Sequence, residues 1–238
     1  MIKIVSFDVW NTLLNLSYML EELSETLSKF TGLENEKVKI TIAEVRREVR
    51  ELREEEKLAP EQMLVESQSL LSKRLNIDID LVKRAIAKAM LNVTNDVVLK
   101  GVEEALVGLK EKGYVIITAG NVMFWPSSYT RLILEKYGIA SYIDKQFYSD
   151  EVKAYKPMKE FFEKVMEYFK ALPNEIVHVG DTREEDFYGA LRAGLYAILI
   201  NPHLKGYRKV AERGYEIGSI GEVSKVLEEL HKESEHTG

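Results

Sequence analysis

Residues 2–7, Ile-Lys-Ile-Val-Ser-Phe, form a short apolar stretch rich in β-branched side chains, and a carboxylate, Asp8, follows it directly. This pattern is typical of a buried strand that ends at a polar residue. It recurs at 114–117, which leads to Thr118, and at 176–179, which leads through a glycine to Asp181. Helical periodicity separates these strands and two further ones predicted at 143–148 and 195–200. Such alternation favours an α/β fold with an open, mostly parallel sheet and helices on both faces.

The stretch between the first two strands has a different texture. It contains no convincing strand, and apolar side chains recur at helical spacing, for example at Val38, Ile42 and Val45, with charged residues on the opposite face. The sequence therefore predicts a helical domain, residues 15–99, inserted into an α/β core domain formed by residues 1–14 and 100–238.

The composition excludes several classes of protein. Of 238 residues, 45% are hydrophobic and 30% are charged, which is enough apolar material for a core. The chain contains no cysteine, which excludes disulfides, thiolate zinc sites and cysteine nucleophiles. No apolar run approaches the roughly 18 residues of a membrane span, and the net charge of −6 argues against nucleic-acid binding. We therefore expect a cytoplasmic protein with a small-molecule partner, and abundant Glu and Lys without Cys would suit a heat-adapted source.

Polar residues at strand ends indicate where the chemistry takes place. In open parallel sheets, ligands bind beyond the carboxyl ends of the strands. Asp8, Thr118 and Asp181 would meet there if their strands are neighbours, and Asp186 lies close by in the following helix. Three carboxylates repel one another, and a hard cation such as Mg²⁺ is the usual remedy. With Lys156 as a further positive charge, the set suits phosphoryl transfer, which depends mainly on positioning and charge neutralisation.

Four segments resemble, in order, the four motifs of the haloacid dehalogenase-like hydrolases. The segment Phe-Asp-Val-Trp-Asn-Thr at 7–12 resembles the first motif, an apolar strand followed by Asp-x-Asp-x-Thr. Thr118 matches the Ser/Thr of the second motif, Lys156 matches the Lys of the third, and Gly-Asp-Thr-Arg-Glu-Glu-Asp at 180–186 resembles the fourth. The resemblance covers nearly the whole chain. It implies a Rossmann-like parallel sheet core with an inserted helical cap domain.

The resemblance also implies catalytic and metal-binding roles. Asp8 would be the nucleophile and form a covalent intermediate, with Lys156 paired to it. Mg²⁺ would be bound by Asp8, by Asp181 and by the backbone carbonyl of Trp10. Asp186 would bind the ion or one of its ligands.

A second set of residues is expected to bind the substrate. Thr118 and the amides that follow it, beginning with Ala119, would hold the transferring group. Asn121 could contact the substrate, although an Asn in a Gly-flanked turn is often there for backbone reasons. Trp10 could line an apolar pocket under the cap together with two aromatic residues at 124 and 125, which could equally serve packing alone.

One residue departs from the phosphatase pattern. Trp10 replaces the second Asp of the first motif, which in family phosphatases protonates the leaving alcohol and then activates water, an effect worth about 10²–10⁴-fold. Indole has no titratable proton in this range. The 2-haloacid dehalogenases of the family carry Asp-x-Tyr-x-Thr, so an aromatic residue at position 10 favours them. Asp181 favours a phosphatase, because a dehalogenase has no use for a carboxylate that demands a cation.

We weigh the fourth motif more heavily and expect Mg²⁺-dependent hydrolysis of a small phosphomonoester through an aspartyl-phosphate on Asp8. One alternative is metal-independent release of halide from a 2-haloacid through an aspartyl ester. The other is a ligand-binding relative with poor turnover. The expected partner is therefore a small phosphorylated or halogenated molecule.

Three smaller expectations concern residues near the motifs. Thr182 and Glu185 have the spacing of a helix capping box, and we assign Glu185 to that role alone. His178, inside an apolar strand, is expected to be a satisfied core residue. The cap arginines Arg46, Arg47, Arg50 and Arg53 could bind an anionic substrate. We favour a solvated helix face, because Arg47 and Arg50 lie at helical pairing distance from glutamates at 51 and 54.

Overall fold

The computed structural model describes the backbone of residues 1–236 and the side chains of residues 1–233. Its centre is one seven-stranded sheet with the order β3-β2-β1-β4-β5-β7-β6. Every neighbouring pair is parallel except β6 and β7. This confirms the predicted Rossmann-like α/β fold. The strands are β1 (Ile4–Phe7), β2 (Val115–Gly120), β3 (Lys145–Tyr148), β4 (Ile176–Gly180), β5 (Tyr196–Ile200), β6 (Tyr207–Ala211) and β7 (Gly214–Ile217).

The first strand lies between the two strands that carry the other predicted site residues. Phe7, the last residue of β1, pairs with Thr118 of β2 on one side and with Val179 of β4 on the other. Asp8 and Asp181, each placed directly after its strand, therefore emerge at the same edge of the sheet.

Within residues 1–236, ten α-helices surround the sheet or lie in the insert. In the insert, α1 packs against α2 and α4, and α2 packs against α3. The predicted apolar stripe of α2 is buried, including Val38, Ile42 and Val45. None of the helices in the described part of the chain is long and apolar enough to cross a bilayer. The helices are α1 (Leu16–Thr31), α2 (Asn35–Glu54), α3 (Met63–Leu75), α4 (Ile79–Asn92), α5 (Val102–Glu111), α6 (Ser127–Lys136), α7 (Ser149–Val152), α8 (Lys159–Phe169), α9 (Gly189–Arg192) and α10 (Val223–His236).

The chain enters and leaves the helical insert along two adjacent segments. The amide of Asn15 donates to the carbonyl of Val97 at 2.7 Å, and the amide of Leu99 donates to the carbonyl of Leu13 at 3.0 Å. The Asn15 side chain also accepts from the amide of Tyr18 and so caps α1. The insert thus begins and ends at one place beside the sheet, while the division into domains at 14/15 and 99/100 stays a prediction.

The last third of the chain contains two strands that the sequence pattern did not predict. Strand β6 is exposed along most of its length at the sheet edge, so it has no apolar face to mark it. Strand β7 is fully buried but only four residues long, and it hides a polar residue, Glu216, whose carboxylate is paired with Arg183 and Arg208. Strand β6 lacks the hydrophobic alternation that marks a strand, and in β7 the alternation consists of only two residues, Tyr215 and Ile217, which is too short to identify a strand.

Candidate active site

Asp8 is held at the end of β1 by backbone hydrogen bonds. Its amide donates to the carbonyl of Val179 in the neighbouring strand β4 at 2.8 Å. The chain then turns back on itself, with Asn11 in the left-handed region at φ 64° and the amide of Leu13 donating to the carbonyl of Val9 at 2.8 Å. This turn leaves the Asp8 side chain 13% exposed at the sheet edge.

The ammonium group of Lys156 is buried between two carboxylates. Its Nζ donates to Asp8 Oδ1 at 2.7 Å and to Asp186 Oδ1 at 2.5 Å. The Lys156 side chain is only 1% exposed. A buried cation needs such partners, because its desolvation costs several kcal/mol. Lys153, an exposed neighbour in sequence, takes no place in this arrangement.

Asp186 accepts hydrogen bonds on both of its oxygens. Oδ1 receives Lys156 Nζ and lies 3.1 Å from His178 Nε2, while Oδ2 accepts from the amide of Thr182 at 2.9 Å and from its hydroxyl at 2.6 Å. His178 Nδ1 in turn contacts Ser6 Oγ at 2.9 Å. His178 is therefore the satisfied buried residue that we predicted, and it also supports Asp186.

A π-helical turn, Arg183–Tyr188, follows β4 and orients these groups. The Thr182 carbonyl accepts from the amides of both Asp186 and Phe187. Such wide turns occur frequently at functional sites. The predicted capping box is wrong, because the Thr182 hydroxyl binds Asp186 instead and the Glu185 side chain is directed towards the helical insert.

Three carboxylates crowd the centre of the site. One oxygen from each of Asp8, Asp181 and Asp186 lies within 4.8 Å of the others. Burial raises the pKa of Asp8 to about 8; Lys156 opposes this shift, whereas Asp186 and Asp181 add to it. Burial and the charge of Asp186 raise the pKa of Asp181 to about 6. The site therefore holds more negative charge than Lys156 neutralises.

The pKa values of Asp186 and Lys156 shift in the directions expected for a stable ion pair. Burial alone would raise the pKa of Asp186, but Lys156 and a hydrogen bond from His178 hold it well below its usual range. Burial alone would lower the pKa of Lys156, but the charges of Asp186 and Asp8 hold it above its usual range. Burial and the nearby Lys156 charge lower the pKa of His178, which favours a neutral imidazole.

The other predicted site residues lie around this centre. Thr118 and Ala119 are buried within β2, which continues two residues beyond the predicted strand end to Gly120. Within the described part of the chain, the Thr118 hydroxyl has no hydrogen-bond partner. Asp181 Oδ2 accepts from the Asn11 amide group at 3.1 Å. The structure thus brings Thr118, Lys156 and the three carboxylates to one edge of the sheet.

Asn121 supports the backbone around Lys156. Its Nδ2 donates to the Lys156 carbonyl at 2.8 Å and to Glu185 Oε2 at 3.1 Å, and its Oδ1 accepts from the Lys156 amide at 2.9 Å. These contacts use both N–H groups and the oxygen of the Asn121 side-chain amide. They fix the loop from which Lys156 reaches Asp8.

A cleft opens above the carboxylates between the core and the insert, with about 630 Å³ of empty volume including the part open to solvent. Both tryptophans of the chain line it, with the rings of Trp10 and Trp125 in a T-shaped contact at 5.1 Å. Phe124 and Trp125 are therefore both buried and part of the pocket wall. The apolar lining residues are Trp10, Leu16, Leu20, Met123, Phe124 and Trp125.

The cap arginines differ from the expected solvated face. Arg46, Arg50 and Arg53 line the cleft, and only Arg47 is exposed. Arg53 Nε donates to Glu185 Oε1 at 2.9 Å, its terminal nitrogen contacts the same oxygen, and both side chains are under 10% exposed. The expectation was wrong because this ion pair and the cleft lie on the core side of α2. The spacing i, i+4, i+7 was the available signal.

Comparison with known proteins identifies the family. A family model of hydrolases, described as haloacid dehalogenase-like hydrolase, matches residues 2–194. The chain belongs to this family. The matched range includes all four motifs and the helical insert.

Two relatives of this haloacid dehalogenase-like hydrolase are named as a phosphatase and a nucleotidase. The chain is 32% identical over 130 residues to a glyceraldehyde 3-phosphate phosphatase of Methanothermobacter thermautotrophicus, a match that covers 52% of this chain and 55% of the relative. It is 27% identical over 158 residues to the pyrimidine 5'-nucleotidase YjjG of Escherichia coli, covering 66% and 67%. The chain thus spans about half to two thirds of the length of the curated relatives it matches.

The fold agrees with a solved structure of the family. The HAD-hydrolase YfnB of Bacillus subtilis, whose structure is bound to magnesium, superposes with a TM-score of 0.76 at 19% identity. The superposition covers 95% of this chain and 99% of that one. At this identity the likeness establishes the fold, including the helical insert.

Gly180 provides a test of how tightly Asp186 is placed. A Cβ at Gly180 would lie 2.2 Å from Asp186 Cγ, whereas one at Gly108, in α5, would meet nothing within 4 Å. We expect Gly180→Ala to displace Asp186 and lower the free energy of unfolding by about 1–3 kcal/mol. Gly108→Ala, the matched control, should raise it by about 0.5–1 kcal/mol. Urea denaturation of both variants measures the difference, and equal effects would contradict the packing described.

The Arg53–Glu185 pair gives a second test. Glu185→Ala leaves Arg53 buried without its partner, and we expect the free energy of unfolding to fall by about 3–5 kcal/mol. Glu184→Ala is the matched control, because Glu184 is 44% exposed and pairs with Arg192 on the surface; it should cost under about 1 kcal/mol. Urea denaturation measures both. Similar losses in the two variants would mean that the insert stands away from the core in solution.

Proposed function

We propose that this haloacid dehalogenase-like hydrolase is a phosphatase that cleaves small phosphomonoesters with Asp8 as the nucleophile and Mg²⁺ as the cofactor. The observation that carries the proposal is the ammonium of Lys156 between Asp8 and Asp186, with Asp181 in the same cluster. A carboxylate nucleophile that attacks a phosphomonoester dianion needs positive charge close to it, which reduces the repulsion between the two anions. The phosphatase and nucleotidase relatives support the same reaction class.

The residues present fit a hard divalent cation. Asp186 already accepts four hydrogen bonds from protein groups, so its oxygens are largely occupied. Lys156 contacts only Oδ1 of Asp8 and Asn11 contacts only Oδ2 of Asp181. Asp8 and Asp181 would therefore hold the cation, with the Trp10 carbonyl as a further ligand, and Asp186 would act through Lys156. When bound, Mg²⁺ neutralises charge on the carboxylates and on the phosphoryl oxygens.

The chain's own groups define two chemical steps. A carboxylate oxygen of Asp8 attacks phosphorus, the bond from phosphorus to the ester oxygen breaks, and the alkoxide leaves with the electron pair. A water then attacks the aspartyl-phosphate, the bond from phosphorus to Asp8 breaks, and the carboxylate and inorganic phosphate are released. Lys156 and the unpartnered hydroxyl of Thr118 are the donors for the transferring oxygens, together with the Ala119 amide.

Trp10 limits which leaving groups suffice. Its side chain lines the cleft where family phosphatases have a carboxylate, and indole gives no proton to the departing alkoxide. The enzyme should therefore favour esters whose leaving groups are stable as anions.

A second candidate function is hydrolysis of 2-haloacids. Trp10 and the apolar wall that it forms with Trp125 favour it, because a halide leaves without a proton. Asp181 has no role in that reaction and would only add repulsion beside Asp8. A catalytically poor ligand-binding relative is the third possibility, in which the site is kept without turnover.

Hydrolysis of p-nitrophenyl phosphate tests the proposed reaction directly, because its leaving group barely needs a proton. We expect hydrolysis that requires Mg²⁺ and stops in EDTA. Asp8→Asn should reduce the rate by about 10⁴-fold or more, because it removes the nucleophile. Lys156→Met should also abolish activity, whereas the exposed Lys153→Met is its matched control and should not.

Absence of activity above the Asp8→Asn blank would reject the phosphatase. Release of halide from a 2-haloacid, independent of Mg²⁺ and dependent on Asp8, would then establish the second candidate. Binding of phosphate and Mg²⁺ without either turnover would establish the third.

The Trp10→Asp variant restores the acid that the first motif lacks. Trp10→Asp should raise turnover of alkyl phosphates about tenfold or more, because general acid–base catalysis typically contributes 10²–10⁴-fold. Trp10→Asn is the matched control, since it shortens the side chain equally and has no titratable proton. Steady-state rates on ethyl phosphate measure the difference. Equal rates in the two folded variants would show that a proton donor is not what the site lacks.

A further inference from the structure

On the cap side of the cleft, three arginines of α2 face the carboxylates, and two of them make no ion pair with any residue that the structure describes. Arg46, Arg50 and Arg53 lie at i, i+4 and i+7 on α2 and all line the cleft. Arg53 is neutralised by Glu185. Arg46 and Arg50 form no ion pair with any carboxylate in the described part of the chain.

The two free guanidinium groups lie in an unfavourable environment. Burial lowers the pKa of Arg46, and the charges of Arg50 and Arg53 lower it further, whereas the charges of Asp181 and Glu185 oppose this shift without reversing it. Both Arg46 and Arg50 are half-buried, so solvent screens their repulsion only in part. Arg47, on the other side of the same helix, is exposed and therefore avoids both the loss of hydration and the repulsion. An anion placed between Arg46 and Arg50 would remove the repulsion.

Arg46 belongs to the helical insert, on the other side of the cleft from the groups that hold the transferring phosphoryl group. Lys156 and Thr118 face that group from the core. Arg46 and Leu20, by contrast, also line a second depression whose walls come entirely from α1 and α2. Arg46 therefore lies where the cleft borders the helical insert, whereas Asp8 lies on the core side, at the end of β1.

We propose that Arg46 and Arg50 bind a second anionic group of the substrate. The substrate class is then a small phosphomonoester that carries a carboxylate or a second phosphate, with its connecting carbon chain against the apolar wall of the cleft. Arginine suits both groups, because its planar guanidinium binds carboxylate and phosphate through paired hydrogen bonds. This inference rests on the proposed phosphatase function, whose substrate it specifies.

The two tryptophans provide a direct measure of binding. They are the only tryptophans in the sequence, and both line the cleft, so a ligand there should change the intrinsic fluorescence. Full-length protein carrying Asp8→Asn, in the presence of Mg²⁺, prevents turnover during titration. The probes are ethyl phosphate, 2-phosphoglycolate, which adds a carboxylate, and 1,2-ethanediol bisphosphate, which adds a phosphate.

We expect at least one of the two doubly anionic probes to bind about tenfold more tightly than ethyl phosphate, or better, since a charge-assisted hydrogen bond is worth that much. Adding Arg46→Gln and Arg50→Gln should reduce the preference to about twofold or less. Adding Arg47→Gln, the matched control on the same helix, should keep it. Which probe shows the preference identifies the second group as a carboxylate or a phosphate.

Three results would overturn the proposal: equal affinity for all probes, no fluorescence change with any of them, or a preference that survives in the Arg46→Gln/Arg50→Gln protein. Failure of the phosphatase itself is seen separately. In that case the wild-type protein does not hydrolyse p-nitrophenyl phosphate, while the selective binding and its dependence on Arg46 and Arg50 persist.

Discussion

The ammonium of Lys156, buried between Asp8 and Asp186, is the interaction on which the site depends. A cation that is 1% exposed is stable only with both carboxylates in place, because desolvation costs more than one weak contact returns. Each of the three groups therefore needs a fixed backbone. Asp8 obtains it from the end of β1, Asp186 from the π-helical turn after β4, and Lys156 from the side chain of Asn121.

The same network extends into the helical insert. Asn121 binds Glu185, and Glu185 is paired with Arg53 of α2. The position of the insert and the placement of the Lys156 loop are thus linked through one buried ion pair. Such a pair contributes little net stability compared with apolar side chains, but it strongly disfavours arrangements in which one partner is buried alone. The contact consequently selects one placement of α2 over the carboxylates.

The cleft that results combines two kinds of chemistry. Its floor has excess negative charge from three carboxylates, which suits a divalent cation and a phosphoryl group. Its walls are apolar on one side and carry the arginines on the other. Trp10 departs from the first motif of the family's phosphatases. It packs against Trp125 at the position where that motif has an acid. Under the proposed mechanism, reactivity would therefore depend on the leaving group to a greater extent than in a phosphatase with both carboxylates.

The sequence by itself determined the strands β1 to β5, the four motifs and the carboxylates that follow the strands, whereas the strand order that brings these carboxylates together came from the structure. Those features depend on local signals: a β-branched run before Asp8, a glycine before Asp181, and the order of the segments along the chain. Contacts between distant segments were decided by the tertiary structure alone. Glu185 has the spacing of a helix cap, yet the fold pairs it with Arg53, which is 132 residues away in the sequence. The strands β6 and β7 likewise depend on the edge that the sheet provides, since β6 has no hydrophobic alternation and that of β7 is limited to Tyr215 and Ile217.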